Sequence, residues 1–301
     1  MMDIPLSLTR ILEYGASVHG DTTVTTWHGE GTGSEFDPAE EVTFRDIAAR
    51  AAAFAHAIHD ELGITSDERV GSFMWNCAEH LEVMFGTACK GAIFAPLNKQ
   101  LMNDQIRHII NHAEISAIVC DPRLAQQLGK VLVGTNSVGS VIITGAQPAQ
   151  QFAHLFPRGV EVYSYEALID GRSTVYDWPE LDERTAAALC YSTGTTGAPK
   201  GVLYSHRSLY LEAMQLRSSD SLCITHGETF LCCIPICHVL SWGVPFTCFM
   251  TGTPLVLPDA DVSAPTLAKA IAATSPRVAH GVPTIWIQLF VHYMHLSLIH
   301  I

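Results

Sequence analysis

Ile47, Ala51, Phe54, Ile58 and Leu62 recur at spacings of three and four, the period of a helix with one buried stripe. Thr43 precedes that run with Asp46 at the capping-box distance, so the helix is predicted to begin at Thr43 and to stop at Gly63. Before it, Val24–His28 alternates, and Gly29, Gly31 and Gly33 separate it from Val42–Phe44; that pattern predicts an early hairpin. Beyond Gly63, Val70–Met74, Ala92–Leu97, Ile115–Cys120 and Val138–Thr144 are short apolar runs that read as strands. Between them, three segments read as helices: Ala78–Ala88, a run capped by Asn103 with Ile106, Ile109, Ile110 and Ala113 on one face, and Leu124–Leu132. Uniformly apolar strands joined by helices predict an α/β fold with mostly parallel sheets flanked by helices. Gln147–Asp182 is irregular and acidic and is expected to be surface connection, after which Ala186–Tyr191 is again a buried strand.

Composition narrows the function classes. The 301 residues carry a net charge of −13 with 48% apolar residues, which suits a folded globular chain and argues against a general nucleic-acid binder. Nine Cys and an N-terminus, Met1-Met2-Asp3, without a basic region predict reduced thiols in a cytoplasmic protein. No Asp, Glu, Lys or Arg occurs from Thr229 to Pro258 or from Val278 to Ile301. Each stretch has the length of a membrane span, but Pro235, His238, Gly243 and Pro245 interrupt the first and several His the second. Buried strands and helices are expected there, with no integral span. His108 and His112 have a metal-ligand spacing but lie opposite Ile106, Ile109 and Ile110, so a solvated face is expected. Cys232, Cys233, Cys237 and His238 look like a zinc set, yet an adjacent Cys pair on a strand points to opposite faces.

The stretch that carries chemistry is Tyr191-Ser192-Thr193-Gly194-Thr195-Thr196-Gly197-Ala198-Pro199-Lys200-Gly201. Glycines let backbone amides approach a ligand, successive amides form an anion site, hydroxyls add donors and Lys200 adds a charge. That combination suits a polyphosphate. It is not a Walker loop, because Pro199 stands where the second glycine belongs and a predicted strand, Val202–Tyr204, follows before Ser205 caps a helix.

This segment resembles the phosphate-binding signature of adenylate-forming enzymes, and its extension through Val202-Leu203-Tyr204-Ser205-His206-Arg207 is similar to the medium- and long-chain fatty-acyl-CoA synthetase branch. Val70-Gly71 through Trp75-Asn76, Leu97-Asn98, His108 to Glu114, Ile234-Pro235-Ile236-Cys237-His238 with Trp242-Gly243, and Gly281-Val282-Pro283-Thr284 extend the resemblance over roughly residues 9–290.

The resemblance implies ATP, Mg2+ and coenzyme A as partners of a fatty acid. It implies formation of an acyl adenylate with release of pyrophosphate, then transfer of the acyl group to coenzyme A. Ser192, Thr193, Gly194, Thr195, Thr196 and Gly197 would hold the β- and γ-phosphates, Ser192 beside the metal, with Lys200 supporting the loop. His238 would lie beside the reacting carboxylate, Trp242 at the mouth of the acyl tunnel, and Gly281, Val282 and Pro283 along the ligand.

It also implies a division into residues 66–222, with the phosphate loop 191–201, and residues 1–65 plus 223–301. Homodimers are frequent in the family, and a fatty-acid substrate is compatible with a peripheral membrane location. The family's later Tyr-Gly-x-Thr-Glu segment, ribose-binding Asp and C-terminal lid domain with its lysine do not occur downstream of Thr284. The expectation is an incomplete N-terminal adenylation domain, inactive by itself. The alternatives are an aryl or short-chain acid–CoA ligase and a non-catalytic nucleotide-binding fragment. Leu296–Ile301 reads like translated transposon-end adapter sequence.

Overall fold

A computed structural model describes residues 4–29, 38–192 and 198–299, with side chains through Met294. In chain order the elements are α1 (Leu8–Val18), β1 (Thr23–Trp27), β2 (Ala39–Thr43), α2 (Phe44–Asp60), β3 (Arg69–Phe73), α3 (Ala78–Cys89), β4 (Ile93–Pro96), α4 (Asn103–His112), β5 (Ala117–Cys120), α5 (Ala125–Leu132), β6 (Ser140–Ile143) and β7 (Glu161–Ser164). There follow α6 (Tyr165–Ile169), β8 (Ala186–Ser192), β9 (Lys200–Ser205), α7 (His206–Leu216), β10 (Phe230–Cys232), α8 (Val239–Trp242, a single left-handed turn), α9 (Val244–Thr251), β11 (Leu255–Leu257), α10 (Ala264–Thr274), β12 (Val278–His280) and α11 (Pro283–Ile299).

The strands form two sheets, one ordered β7-β6-β5-β3-β4-β8-β9 and one ordered β12-β10-β11-β1-β2. All pairings are parallel except β1–β2 and β8–β9. One apolar core joins the facing sides of both sheets through α1, α2, α3 and α9; a second lies between the larger sheet and α4 and α5; a third lies between the smaller sheet and α10 and α11. The result is a layered α/β/α/β/α arrangement, which explains why β4 and β5 are buried on every residue.

Local chemistry sets the boundaries as expected around α2. Thr43 Oγ1 accepts from the Asp46 N–H at 3.1 Å, and the Asp46 carboxylate accepts from the Thr43 N–H at 2.9 Å, which closes both halves of a capping box. Gly63 sits at φ +64°, where its N–H reaches the His59 carbonyl and terminates the helix. α2 and α3 cross closely because Gly86 has no side chain: a Cβ there would stand 2.7 Å from the Ala51 carbonyl oxygen.

Two expectations change, and one helix not read from the sequence appears. Gln147–Asp182 is not only surface connection. β7 is the edge strand of the larger sheet, and Tyr165 at the start of α6 is fully buried, donating to Glu82 at 2.8 Å. A helix, α1, precedes Val24 and buries Leu8, Ile11, Leu12 and Gly15. The residue ahead of α4 is Met102, not Asn103, and the end is closed by Gln105, whose side chain accepts from the Met102 N–H at 3.2 Å. The uncharged stretch from Thr229 folds as β10, α8, α9 and β11, mostly deeply buried, with a rim at Pro235, His238, Val239 and Trp242. Among the described residues no helix is long and apolar enough to cross a membrane.

Candidate functional site

Strand order places the site. β3 is flanked by β4 on one side and β5 on the other, so the chain reverses direction across the sheet at β3. Ligands of open α/β sheets bind outside the carboxyl ends of the strands at such a point. The carboxyl ends of β3 and β5 lead into Met74–Asn76 and Asp121–Arg123, and the smaller sheet docks there. Arg123 grips both carboxylate oxygens of Asp259, just after β11, at 2.8 Å each, and also holds Asp121 at 2.6 Å. His28, just after β1, completes the clamp with Nδ1 3.0 Å from Asp259. Asn76 is a second tie. Its amide donates to the carbonyls of Ile234 and Cys232 at 2.9 and 3.3 Å, and its carbonyl oxygen accepts from the Ile236 N–H at 3.1 Å.

These ties enclose a cavity of about 720 Å³ between the two sheets. Ser192, at the end of β8, lies on its wall, as do His238, Trp242, Val282 and Thr284. Cys190, Tyr191, Val202, Ile234, Pro235 and Ile285 give most of the remaining surface an apolar character, interrupted by Asn76, Asn98, Lys99 and Asp259. Ser192 and Lys200 face each other across the antiparallel β8–β9 ladder, so the two ends of the segment predicted to bind phosphate are brought together. Lys200 is exposed and outside the cavity lining; Gly281 and Pro283, at the junction of β12 and α11, are also outside it, the first partly buried and the second exposed. Thr193, Gly194, Thr195, Thr196 and Gly197 lie outside the described residues.

His238 is exposed at the rim of the cavity, and partial desolvation there together with the Lys99 charge lowers its pKa. A neutral imidazole therefore faces the cavity, able to donate one hydrogen bond and accept another. It opens the left-handed turn α8, in which Val239, Leu240, Ser241 and Trp242 hold φ values of 41°, 48°, 57° and 54°. Such residues cost on the order of 1–2 kcal/mol each. The turn is held by Ser241, whose hydroxyl donates to the Ile234 carbonyl at 2.7 Å, and by His280, whose Nε2 lies 3.2 Å from the Ser241 carbonyl. Its product is Trp242, 48% exposed on the cavity wall and edge-on to the His280 ring at 5.8 Å. Strain of this kind concentrates at functional sites.

Several of these residues were outside the sequence expectations: Asn76, Lys99, Asp259, the clamp of His28 and Arg123, and His280. Asn76 and His280 each stood inside a segment quoted for its resemblance or its lack of charge, without a role. Of the two rejected metal sets, His112 is exposed and pairs with the Tyr191 hydroxyl at 2.7 Å, tying α4 to β8. Cys232 is buried against Ser241. Among the described residues no group of three His, Cys, Asp or Glu is placed to hold a metal ion.

The AMP-binding enzyme family matches residues 12–298. The chain belongs to that family. It is 32% identical over 292 residues to a 3-methylmercaptopropionyl-CoA ligase of Ruegeria lacuscaerulensis, an alignment covering 97% of this chain and 52% of that protein. It is also 32% identical over 289 residues to a medium-chain-fatty-acid–CoA ligase of Ectopseudomonas oleovorans, covering 95% and 50%. Among solved structures, an anthranilate CoA ligase in complex with anthranoyl-AMP superposes with a TM-score of 0.80 at 22% identity, covering 94% of this chain and 51% of that one. The fold is thus that of the N-terminal domain of adenylate-forming enzymes. The chain spans about half the length of the curated relatives it matches.

Proposed function

We propose that the protein carrying this chain is a fatty acid–CoA ligase of medium- or long-chain preference. The observation that carries this reading is the single cavity that joins Ser192, at the edge of the phosphate loop, to His238 and Trp242 on an otherwise apolar wall. In the first step a carboxylate oxygen of the acid bonds to the α-phosphorus of ATP and the bond to pyrophosphate breaks. In the second, the thiol of coenzyme A replaces AMP at the acyl carbon. The protein's contribution to both is positioning and charge stabilisation.

In this reading Ser192, Thr193, Gly194, Thr195, Thr196 and Gly197 hold the β- and γ-phosphates, and Lys200 steadies the loop from its far end. His238 donates to the carboxylate, Trp242 closes the apolar end of the cavity, and Gly281 and Pro283 set the turn that brings Val282 onto its wall. Asp259 is saturated by Arg123 and His28, so Mg2+ would take the Ser192 hydroxyl together with phosphate oxygens, the coordination it favours. The metal supplies neutralisation of phosphate charge. Residues 66–222 and residues 1–65 with 223–301 serve as the two halves of the adenylation domain, in a cytoplasmic setting where the nine cysteines stay reduced.

The test is acid-dependent pyrophosphate release by the full-length protein with acetate, benzoate, octanoate and palmitate. Release with octanoate or palmitate supports the reading. Release with benzoate or acetate alone transfers the site to an aryl or short-chain acid ligase, and ATP binding without release with any acid refutes catalysis. Trp242→Ala is expected to raise KM mainly for the longer acids.

A further inference from the structure

Lys99 stands apart from every other charge in the cavity wall. The backbone around it is fixed twice. The Asn98 side chain accepts from the Gln100 N–H at 3.0 Å, and Gln127 donates to the Lys99 carbonyl at 3.0 Å. Its ammonium lies 4.0 Å from the centre of the Trp75 ring and donates to the Met74 carbonyl at 3.2 Å. Trp75 is itself anchored, because its carbonyl meets Nδ1 of the buried His80 at 2.9 Å. The ammonium is therefore held by an aromatic face and one carbonyl, and among the described residues no carboxylate lies within ion-pair distance of it. An ammonium has three donors, and one is used.

Burial lowers the Lys99 pKa, the mark of a charge that has lost water without gaining an anion. The other charged group in the lining, Asp259, is compensated by Arg123 and His28. A desolvated cation with free donors, on the wall of an apolar cavity and next to His238 in its electrostatic influence, is a receptor for an anion.

We propose that Lys99 binds the carboxylate of the acid substrate and selects acids over uncharged acyl ligands of the same length; this rests on the acyl-site reading of the cavity. The class of ligand is a monocarboxylic acid with an apolar tail. Trp75 and Met74 orient the ammonium, and His238 offers the second hydrogen bond to the same carboxylate.

The test is calorimetric binding of octanoate and of 1-octanol to the 301-residue chain. The unmodified chain is expected to bind octanoate about tenfold or more tighter than octanol, the range of a charge-assisted hydrogen bond. Lys99→Met and Lys99→Gln should bring the two affinities together while octanol binding stays unchanged, which also shows that the cavity is intact. Lys99→Arg should keep the preference for the acid. An octanoate preference that survives in both neutral variants overturns the proposal. So does a loss of AMP affinity in those variants with octanoate unaffected, which would give the charge to a phosphate. If neither octanoate nor octanol binds the unmodified chain, the acyl-site reading falls and the proposal with it; if both bind, only the role of Lys99 is at stake.

Discussion

His28 couples folding to pH across the neutral to mildly alkaline range. Its Nδ1 lies 3.0 Å from Asp259 and its side chain is 18% exposed. The hydrogen bond to Asp259 and the neighbouring Glu40 raise its pKa to about 9. Unfolded, the ring titrates near 6.5. The native state therefore keeps a proton that the unfolded chain has lost, so the stabilisation is full below about pH 6.5 and is lost as pH rises through 9. Between about pH 7 and 8.5 the native state holds nearly one extra proton. At 1.36 kcal/mol per unit, stability should fall by about 2 kcal/mol.

Glu82, raised to about 7 by burial, shares the sign of His28 in the lower part of the window and acts equally in the unmodified chain and in a His28 variant. His80 and His206, lowered to about 3 and 4 by burial, raise stability with pH and are finished by about pH 7. The buried thiols, raised by desolvation, share the sign of His28 and begin to act near pH 8, where unfolded thiols start to titrate, again equally in both proteins. Lys90 and Lys99, lowered by burial, oppose the trend toward the alkaline end. His28→Asn keeps a donor toward Asp259 and removes the proton. Urea titrations of both proteins at half-unit steps from pH 7 to 8.5 isolate the term: the unmodified chain should lose stability and the variant should be flatter by about 2 kcal/mol. Equal slopes would refute the assignment of the proton to the clamp.

Asn76→Ala should destabilise by about 2–4 kcal/mol, because it strands two buried carbonyls and an N–H, read as a lowered urea midpoint. Gly86→Ala drives a methyl against the Ala51 carbonyl and should cost about 1–3 kcal/mol through separation of α2 and α3; an unchanged midpoint would mean that the helices give way freely. His280→Ala removes the bond to the Ser241 carbonyl and the ring beside Trp242, so the Trp242 emission should shift to the red, and an unshifted spectrum would show that the left-handed turn holds without His280.

Much of the architecture is legible in the sequence because β3, β4, β5 and β8 are apolar on both faces and α2 carries its own caps. The segment proposed to bind phosphate, 191–201, stands out by its composition of glycines and hydroxyls. What escapes has three physical causes. β7 is a four-residue edge strand, Glu161–Ser164, only partly buried, so its apolar content is too low to mark it; α1 does carry a helical spacing, at Leu8, Ile11, Leu12 and Gly15, that would have revealed it. Asn76, Arg123 and Asp259 gain their meaning from partners more than 130 residues away, and no local pattern encodes such pairs. The left-handed turn at Val239–Trp242 runs against the preferences of its own residues and exists only because Ile234, Ser241 and His280 impose it.

The most direct test of the cavity as an acyl and nucleotide site is hydrogen exchange of the 301-residue chain with and without octanoate and MgATP. Octanoate should slow exchange in peptides spanning 233–243 and 97–101, and MgATP in those spanning 190–201. Protection confined to other surfaces, such as the groove between Ile4–Ser17 and Tyr210–Arg217, or no protection with either ligand, would contradict the account.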